Sequence, residues 1–336
     1  MKKRAFMIII GLIFVAGVAP VGAQEREKLA QTGLQFLSVI SDARAAALAG
    51  TMTGLEANSS AMFFNPATMS MTTNFFDVSI SHNKWIADIQ HNAFSLSLQP
   101  AGGKYGVFGV SLQAVDYGEI FGTVVANNAQ GYEETGNIST SAFAIGLGYA
   151  KMLSDRFGVG GQVRWARQHL GDNAIAIDIS PTDTTTATVK NEVEVLSFDF
   201  GTIYRTGLKS LTFGFTVRNF SEEIEYAEES FQLPLVFSLG ASINLVDLTS
   251  LNNKTHTLVL AIQATNERSH AEQVSFGLEY KFMNALMVRG GYITNNDEDD
   301  VSFGFGVTSF GLQLDYAYTP FGVFDKVQRF TVRISK

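Results

Sequence analysis

A closed antiparallel transmembrane β-barrel, 14-stranded and carrying a short helical N-terminal plug, is the fold class this sequence predicts. Three observations carry it. The chain begins like an exported protein. No later stretch holds 18 uninterrupted apolar residues. The remainder alternates apolar and small or polar residues with period two. Closed β-barrels are, with apolar helices, the structures that satisfy every backbone polar group in lipid. An apolar, exported chain without a spanning helix therefore points to a barrel, and a mean hydropathy of +0.11 agrees with this.

The N-terminus comes first. Lys2, Lys3 and Arg4 precede an apolar run over residues 5–19, and small residues follow at Gly22 and Ala23. That order matches a secretory signal peptide over 1–23. A membrane anchor is the alternative, but 15 residues fall short of the roughly 20 a bilayer needs. Cleavage removes three of the 24 cations and none of the 32 acidic residues, so the net charge moves from -8 to -11. Such a chain lacks the basic footprint of a nucleic-acid binder. With no cysteine, it has no disulfide scaffold, thiol nucleophile or zinc ribbon.

Residues 24–74 form an expected periplasmic plug segment. The Ala-rich run at 43–48 favours a short helix, and Gly50 suits its C-terminal cap. Asn65-Pro66-Ala67 reads as a turn, with Asn65 pushed toward extended backbone by the proline. This segment precedes the first strand, so it is expected to start on the periplasmic side and fill the lumen.

The barrel itself is expected over residues 75–336. Leu211, Phe213, Phe215 and Val217 alternate with Thr212, Gly214, Thr216 and Arg218; Val301, Phe303, Phe305 and Val307 alternate with Ser302, Gly304, Gly306 and Thr308. Strands are expected at 75–84, 88–99, 104–117, 138–151, 157–169, 193–206, 210–219, 235–246, 255–265, 271–282, 285–294, 300–308, 310–319 and 326–334. An even count is the rule for single-chain bacterial barrels. Turns at 100–103, 154–156, 207–210, 283–284 and at Ser309 are short, whereas 118–137, 170–192 and 220–234 are long loops; 247–254 is the exception. Short turns belong in the periplasm and long loops outside, which places both termini on the periplasmic side. A soluble β-sandwich also alternates, but its outward face would be wet and polar. Here one face is rich in Phe (27 in all) and the other in Gly, Ser, Thr and Ala.

Alternation turns Arg164, Asp199, Arg205, Arg218, Glu279, Lys281, Arg289 and Asp315 into the barrel. Ionisable groups at membrane depth suggest function, yet in a polar lumen structural ion pairs with one another or with the plug are the simpler reading. The five histidines form no metal-ligand cluster. Acidic runs at 222–229 and 297–300 offer oxygen ligands for calcium, but neither has EF-hand spacing, and solvated loops explain them as well. Residues 181–188 are low-complexity and expected to be mobile. Trp85, Tyr105, Tyr117, Phe157, Phe282 and Tyr318 lie near strand ends, as an interfacial girdle would, or in the lumen. No nucleophile elbow or phosphate loop occurs, so neither an enzyme nor a cofactor is expected.

Two terminal motifs resemble a known family. Asp42, Arg44 and Gly50, followed by Asn65, Pro66 and Ala67, look like the N-terminal signature of the PorV/PorQ family, outer-membrane barrels related to FadL-type channels. Asp315, Tyr316, Pro320, Phe321, Gly322 and Arg329 resemble that family's closing hairpin. Gln328 replaces the usual His, and the chain ends Ile334-Ser335-Lys336 rather than on an aromatic residue. The resemblance implies an outer-membrane protein of type IX secretion, acting as a substrate shuttle or a complex-anchoring component. Its implied partners are outer-membrane lipid, secretion-system proteins and secreted substrates with C-terminal signal domains, with no nucleic acid. The alternative it implies is a FadL-like channel holding a hydrophobic ligand in the lumen.

Overall fold

The computed structural model describes residues 32–179, 184–226, 229–252, 255–296, 300–322 and 326–336. The expected signal peptide lies outside the described residues, as do most of the acidic run at 297–300 and part of the one at 222–229.

Fourteen strands close into an antiparallel barrel. In chain order the strands are β1 (Phe76–Lys84), β2 (Gln90–Leu98), β3 (Val107–Asp116), β4 (Ile120–Val125), β5 (Tyr132–Ile138), β6 (Ser141–Met152), β7 (Phe157–Ile179), β8 (Thr184–Arg205) and β9 (Thr212–Ser221). They continue as β10 (Ile224–Tyr226), β11 (Glu229–Phe231), β12 (Val236–Asn244), β13 (His256–Glu267), β14 (Gln273–Phe282), β15 (Leu286–Ile293), β16 (Val301–Ser309), β17 (Leu312–Pro320) and β18 (Lys326–Ser335). All but β4, β5, β10 and β11 belong to the barrel, and β1 pairs with β18 from Asp77↔Ser335 to Lys84↔Gln328 to close it. Period-two alternation produces the expected faces: Phe108, Phe200, Phe215, Phe303 and Phe305 are exposed toward lipid, while Ser79, Ser95, Ser111, Thr216 and Ser275 are buried in the lumen.

One expectation is corrected and two are filled in. The long loops hold strands of their own. Residues 118–137 hold the β4–β5 hairpin, and 220–234 the β10–β11 hairpin. The segment 170–192 prolongs the β7–β8 ladder beyond the barrel, pairing Asp172 with Lys190 and Ile179 with Thr184. Of the low-complexity 181–188, residues 181–183 lie outside the described residues and 184–188 are strand, as β-branched threonine favours. Finally, the first described residues of the N-terminal segment are not at the short-turn end. Thr32 makes a parallel bridge to Gln232, in the connection between β9 and β12, and Gly33 N–H donates to Gln232 O at 3.1 Å. Residues 32–37 thus lie at the long-loop end, and the segment descends through the lumen to β1. Leu34, Phe36 and Leu37 are drawn there by a buried apolar cluster with Val115, Ala144, Val195, Ile224 and Leu233. The C-terminus stays at the short-turn end.

Among its described residues the segment carries one α-helix, α1 (Ala43–Ala47), flanked by 3-10 turns at Gln35–Leu37, Asn58–Phe63 and Pro66–Met71. Asp42 caps α1 by accepting from Ala45 N–H at 2.8 Å. Gly50 follows at φ 75°, and its N–H returns to Ala45 O at 2.9 Å. Asn65 is extended at φ -146° and accepts from Ala67 N–H at 3.1 Å, which starts the last turn with proline in its first position. A second apolar cluster, built on Leu48, Met52, Met62 and Met69, packs this segment against the barrel wall.

Candidate functional site

The chemistry of this molecule is concentrated where the plug meets the wall. Arg44, on α1, donates twice to Glu279 on β14, at 2.9 and 3.0 Å, and once to Glu56 O at 2.7 Å. Glu279 also faces Arg289 at 2.6 Å and Lys281 at 3.1 Å. Glu279 and Arg289 are direct cross-strand neighbours, as a stabilising ion pair requires. Arg289 then reaches over β16 to Asp315 on β17 at 2.6 Å. It can do so because β16 presents Gly306 there: a Cβ would stand 3.0 Å from the Arg289 guanidinium.

A second network holds the other side of α1. The Asp42 carboxylate accepts from Ser60 at 2.9 Å and from Arg333 at 3.3 Å. Arg333 donates to Ser60 at 2.6 Å and lies 3.8 Å from Asp77, which accepts from Ser59 N–H at 2.9 Å. Arg329 donates to Ile40 O at 2.7 Å and to Thr319 at 2.8 Å, with its guanidinium 5.4 Å from the Trp85 ring.

The third contact centres on the Asn-Pro-Ala turn. Asn65 donates to Thr53 O at 2.8 Å and Thr202 O at 3.1 Å. The turn lies directly on Gly160, where a Cβ would come within 2.6 Å of Ala67 N. Beside it, Arg164 meets Asp199 at 2.5 Å and Asn219 at 3.0 Å, and Gln162 donates to Met62 O at 2.6 Å. A bulge sets this corner. The β8–β9 register passes from Phe198↔Phe220 to Phe200↔Val217, so Arg218 and Asn219 together oppose Asp199 and both turn inward. Arg218 donates to Phe63 O at 2.5 Å, and Asn219 N–H to Asp199 at 2.7 Å.

The structure therefore gathers Glu279, Lys281, Arg289 and Asp315 into the first of these plug-holding groups and Arg164, Asp199 and Arg218 into the third. Arg205 faces the lumen half-buried and has no side-chain ion pair among the described residues. In the closing hairpin, Tyr316 faces lipid between Phe305 and Phe330, 5.4 and 5.0 Å away, and Phe321 packs 5.0 Å from Trp85. Pro320 ends β17, and Gly322 follows at φ 52°. Trp85 and Tyr117 belong to the lumen side; Tyr105 and Phe157 are exposed. Sequence reasoning missed Asp77, Ser60 and Arg333. The inward set of β18, which runs Val327, Arg329, Thr331 and Arg333, carried the signal for the last of these.

Among the described residues no group of three His, Asp or Glu could hold a metal ion. One cavity of about 390 Å³ remains in the long-loop half, bordered by Trp85, Arg218, Glu267, Phe321 and Arg329. Its polar walls already hold the plug: Glu267 accepts from Ser38 at 2.8 Å. What this arrangement does is lock the N-terminal segment into a closed lumen.

The family described as type IX secretion system membrane protein PorP/SprF matches residues 58–321. This is a different name from the PorV/PorQ family that the terminal motifs resemble; what the two share is type IX secretion. Solved structures supply the fold. The chain is similar to the Pseudomonas putida toluene transporter TodX (12% identity, 87% of this chain and 96% of that one, TM-score 0.57). It is also similar to a Pseudomonas aeruginosa FadL homologue (11% identity, 88% and 98%, TM-score 0.54). No curated protein matches the chain in sequence.

Proposed function

The chain belongs to the PorP/SprF family of type IX secretion system membrane proteins, and from that premise we propose that it acts in the outer membrane as a closed, complex-anchoring barrel rather than as a conduit. One observation carries the reading: the lumen is filled by a segment tied to the wall through three buried polar networks. Every pair of neighbouring barrel strands holds a ladder of at least seven residue pairs, so the wall offers no side exit. Such a barrel suits a fixed membrane seat for secretion-system proteins, with the built long-loop hairpins as the surface that meets secreted substrates. The narrower role of a PorV/PorQ-like shuttle, which would receive substrates by their C-terminal signal domains, rests on the terminal motifs.

Deletion of the gene tests the reading. Proteins with C-terminal signal domains should accumulate in the periplasm while uptake of hydrophobic compounds is unchanged. Normal secretion with lost uptake would instead favour a FadL-like channel, for which the fold and the 390 Å³ cavity speak. The purified barrel should also conduct no ions in a planar bilayer.

A further inference from the structure

We propose that the short-turn end of the barrel carries a binding site for anionic phospholipid, centred on Lys151 and completed by Lys104 and Arg156.

Charge is divided unequally between the two ends of the barrel. The seven connections at the long-loop end contain 16 acidic residues and one basic; the six turns at the other end contain two acidic and four basic. The cations of the short-turn end do not all point to water. On β6, Ala144, Ala150 and Met152 belong to the lumen face, and Ile145, Leu147, Tyr149 and Lys151 to the lipid face. Lys151 therefore lies against the bilayer, two residues beyond a tyrosine on the same face. A lysine so placed extends along the apolar surface until its ammonium reaches headgroup level.

Its neighbours mark that level. The Tyr149 hydroxyl donates to Tyr105 O at 3.0 Å, and both rings are exposed. Amphipathic tyrosines settle at the membrane interface. The Lys104 ammonium lies 5.5 Å from the Tyr105 ring, in the turn that adjoins β6 through the Val107↔Ala150 pair. Arg156 is exposed in the turn that follows β6, beside Leu153, which is 61% exposed. Two lysines beside two interfacial tyrosines, with Arg156 in the adjoining turn and its guanidinium 3.5 Å from Thr206 O, fit a lipid phosphate with its acyl chains alongside. A protein partner docking on the water-facing turns would have no access to Lys151, and this favours lipid.

The test uses the full-length barrel purified in detergent, titrated with phosphatidylglycerol or phosphatidylcholine of the same chains, with bound lipids counted by native mass spectrometry. Phosphatidylglycerol should be retained preferentially, by about fivefold for each cation engaged. The double substitution Lys104→Gln/Lys151→Gln should remove most of that preference, and Lys151→Arg should keep it. Heat-modifiable gel migration confirms that each variant is folded. Equal retention of the two lipids by the unmodified barrel overturns the proposal, as does an unchanged preference in the folded double variant. None of these outcomes depends on the secretion role.

Discussion

Replacing Glu279 with glutamine should loosen the plug more than any other single lumen substitution. Glu279 is 1% exposed and serves three cations at once: Arg44 at 2.9 Å, Arg289 at 2.6 Å and Lys281 at 3.1 Å. Arg289 keeps Asp315, so the loss falls on Arg44 and Lys281. A unit pair at about 4 Å interacts by about 4 kcal/mol at an effective permittivity of ~20. Removing one partner of a buried pair costs about 3–5 kcal/mol, because the other charge stays buried. The amide still accepts one hydrogen bond, which places the cost near 3 kcal/mol. At 1.4 kcal/mol per decade, the unseated state becomes roughly a hundredfold more populated. Thermal unfolding followed by gel migration should show the barrel opening at lower temperature, and planar bilayers should show conductance bursts that the parent lacks. The double variant Arg44→Met/Glu279→Met should recover part of the stability, since Arg44 is then no longer left as an unpaired buried charge, while Lys281 still lacks its carboxylate. A Glu279→Gln barrel as heat-resistant and as silent as the parent would refute the idea that this carboxylate holds the plug.

Three further outcomes follow from the same geometry. Gly160→Val should force the Asn-Pro-Ala turn off the wall, because a Cβ there already comes within 2.6 Å of Ala67 N; a loss of about 1–3 kcal/mol is expected in urea titration. Phe305→Arg, near the middle of β16 on the lipid face, should destabilise the folded barrel by about 2–4 kcal/mol in liposome folding assays, while leaving a folded fraction with its plug in place. The chain has no cysteine, so single cysteines report topology cleanly. Thr32→Cys and Asn128→Cys should both react with an impermeant maleimide on intact cells, and Lys209→Cys only after permeabilisation. Labelling of Asn128→Cys without Thr32→Cys would place the start of the plug elsewhere.

The strands and their faces were legible because a strand repeats every two residues and a barrel gives each face one solvent. Reading Phe303, Phe305 and Val307 against Gly304, Gly306 and Thr308 was enough to place β16 and to say which side meets lipid. The same parity turned Arg164, Glu279, Arg289 and Asp315 inward. The α1 cap and the Asn65 turn were legible because capping acts within three residues. Alternation could not say that Arg218 and Asn219 both face the lumen, since a bulge breaks the period at that point. The hairpins inside the long loops escaped for a related reason: β4, β10 and β11 are three to six residues long, too short for a pattern to stand out.

Which cation meets which acid was decided only by the tertiary structure. Arg44 and Glu279 are 235 positions apart, and Asp42 and Arg333 are 291 apart. No local spacing encodes such partners; they meet because closure brings β14 and β18 around one helix. The direction of the plug belongs to the same class. Nothing near Thr32 says at which end it lies. Leu34, Phe36 and Leu37 find their apolar partners on the inner faces of β3, β6, β7 and β8 and in the β9–β12 connection, and these come together only once the barrel has formed. The sequence determined a barrel with a lipid face and a polar lumen, because those are periodic and local. The long-range packing of one short segment decided that the lumen is closed.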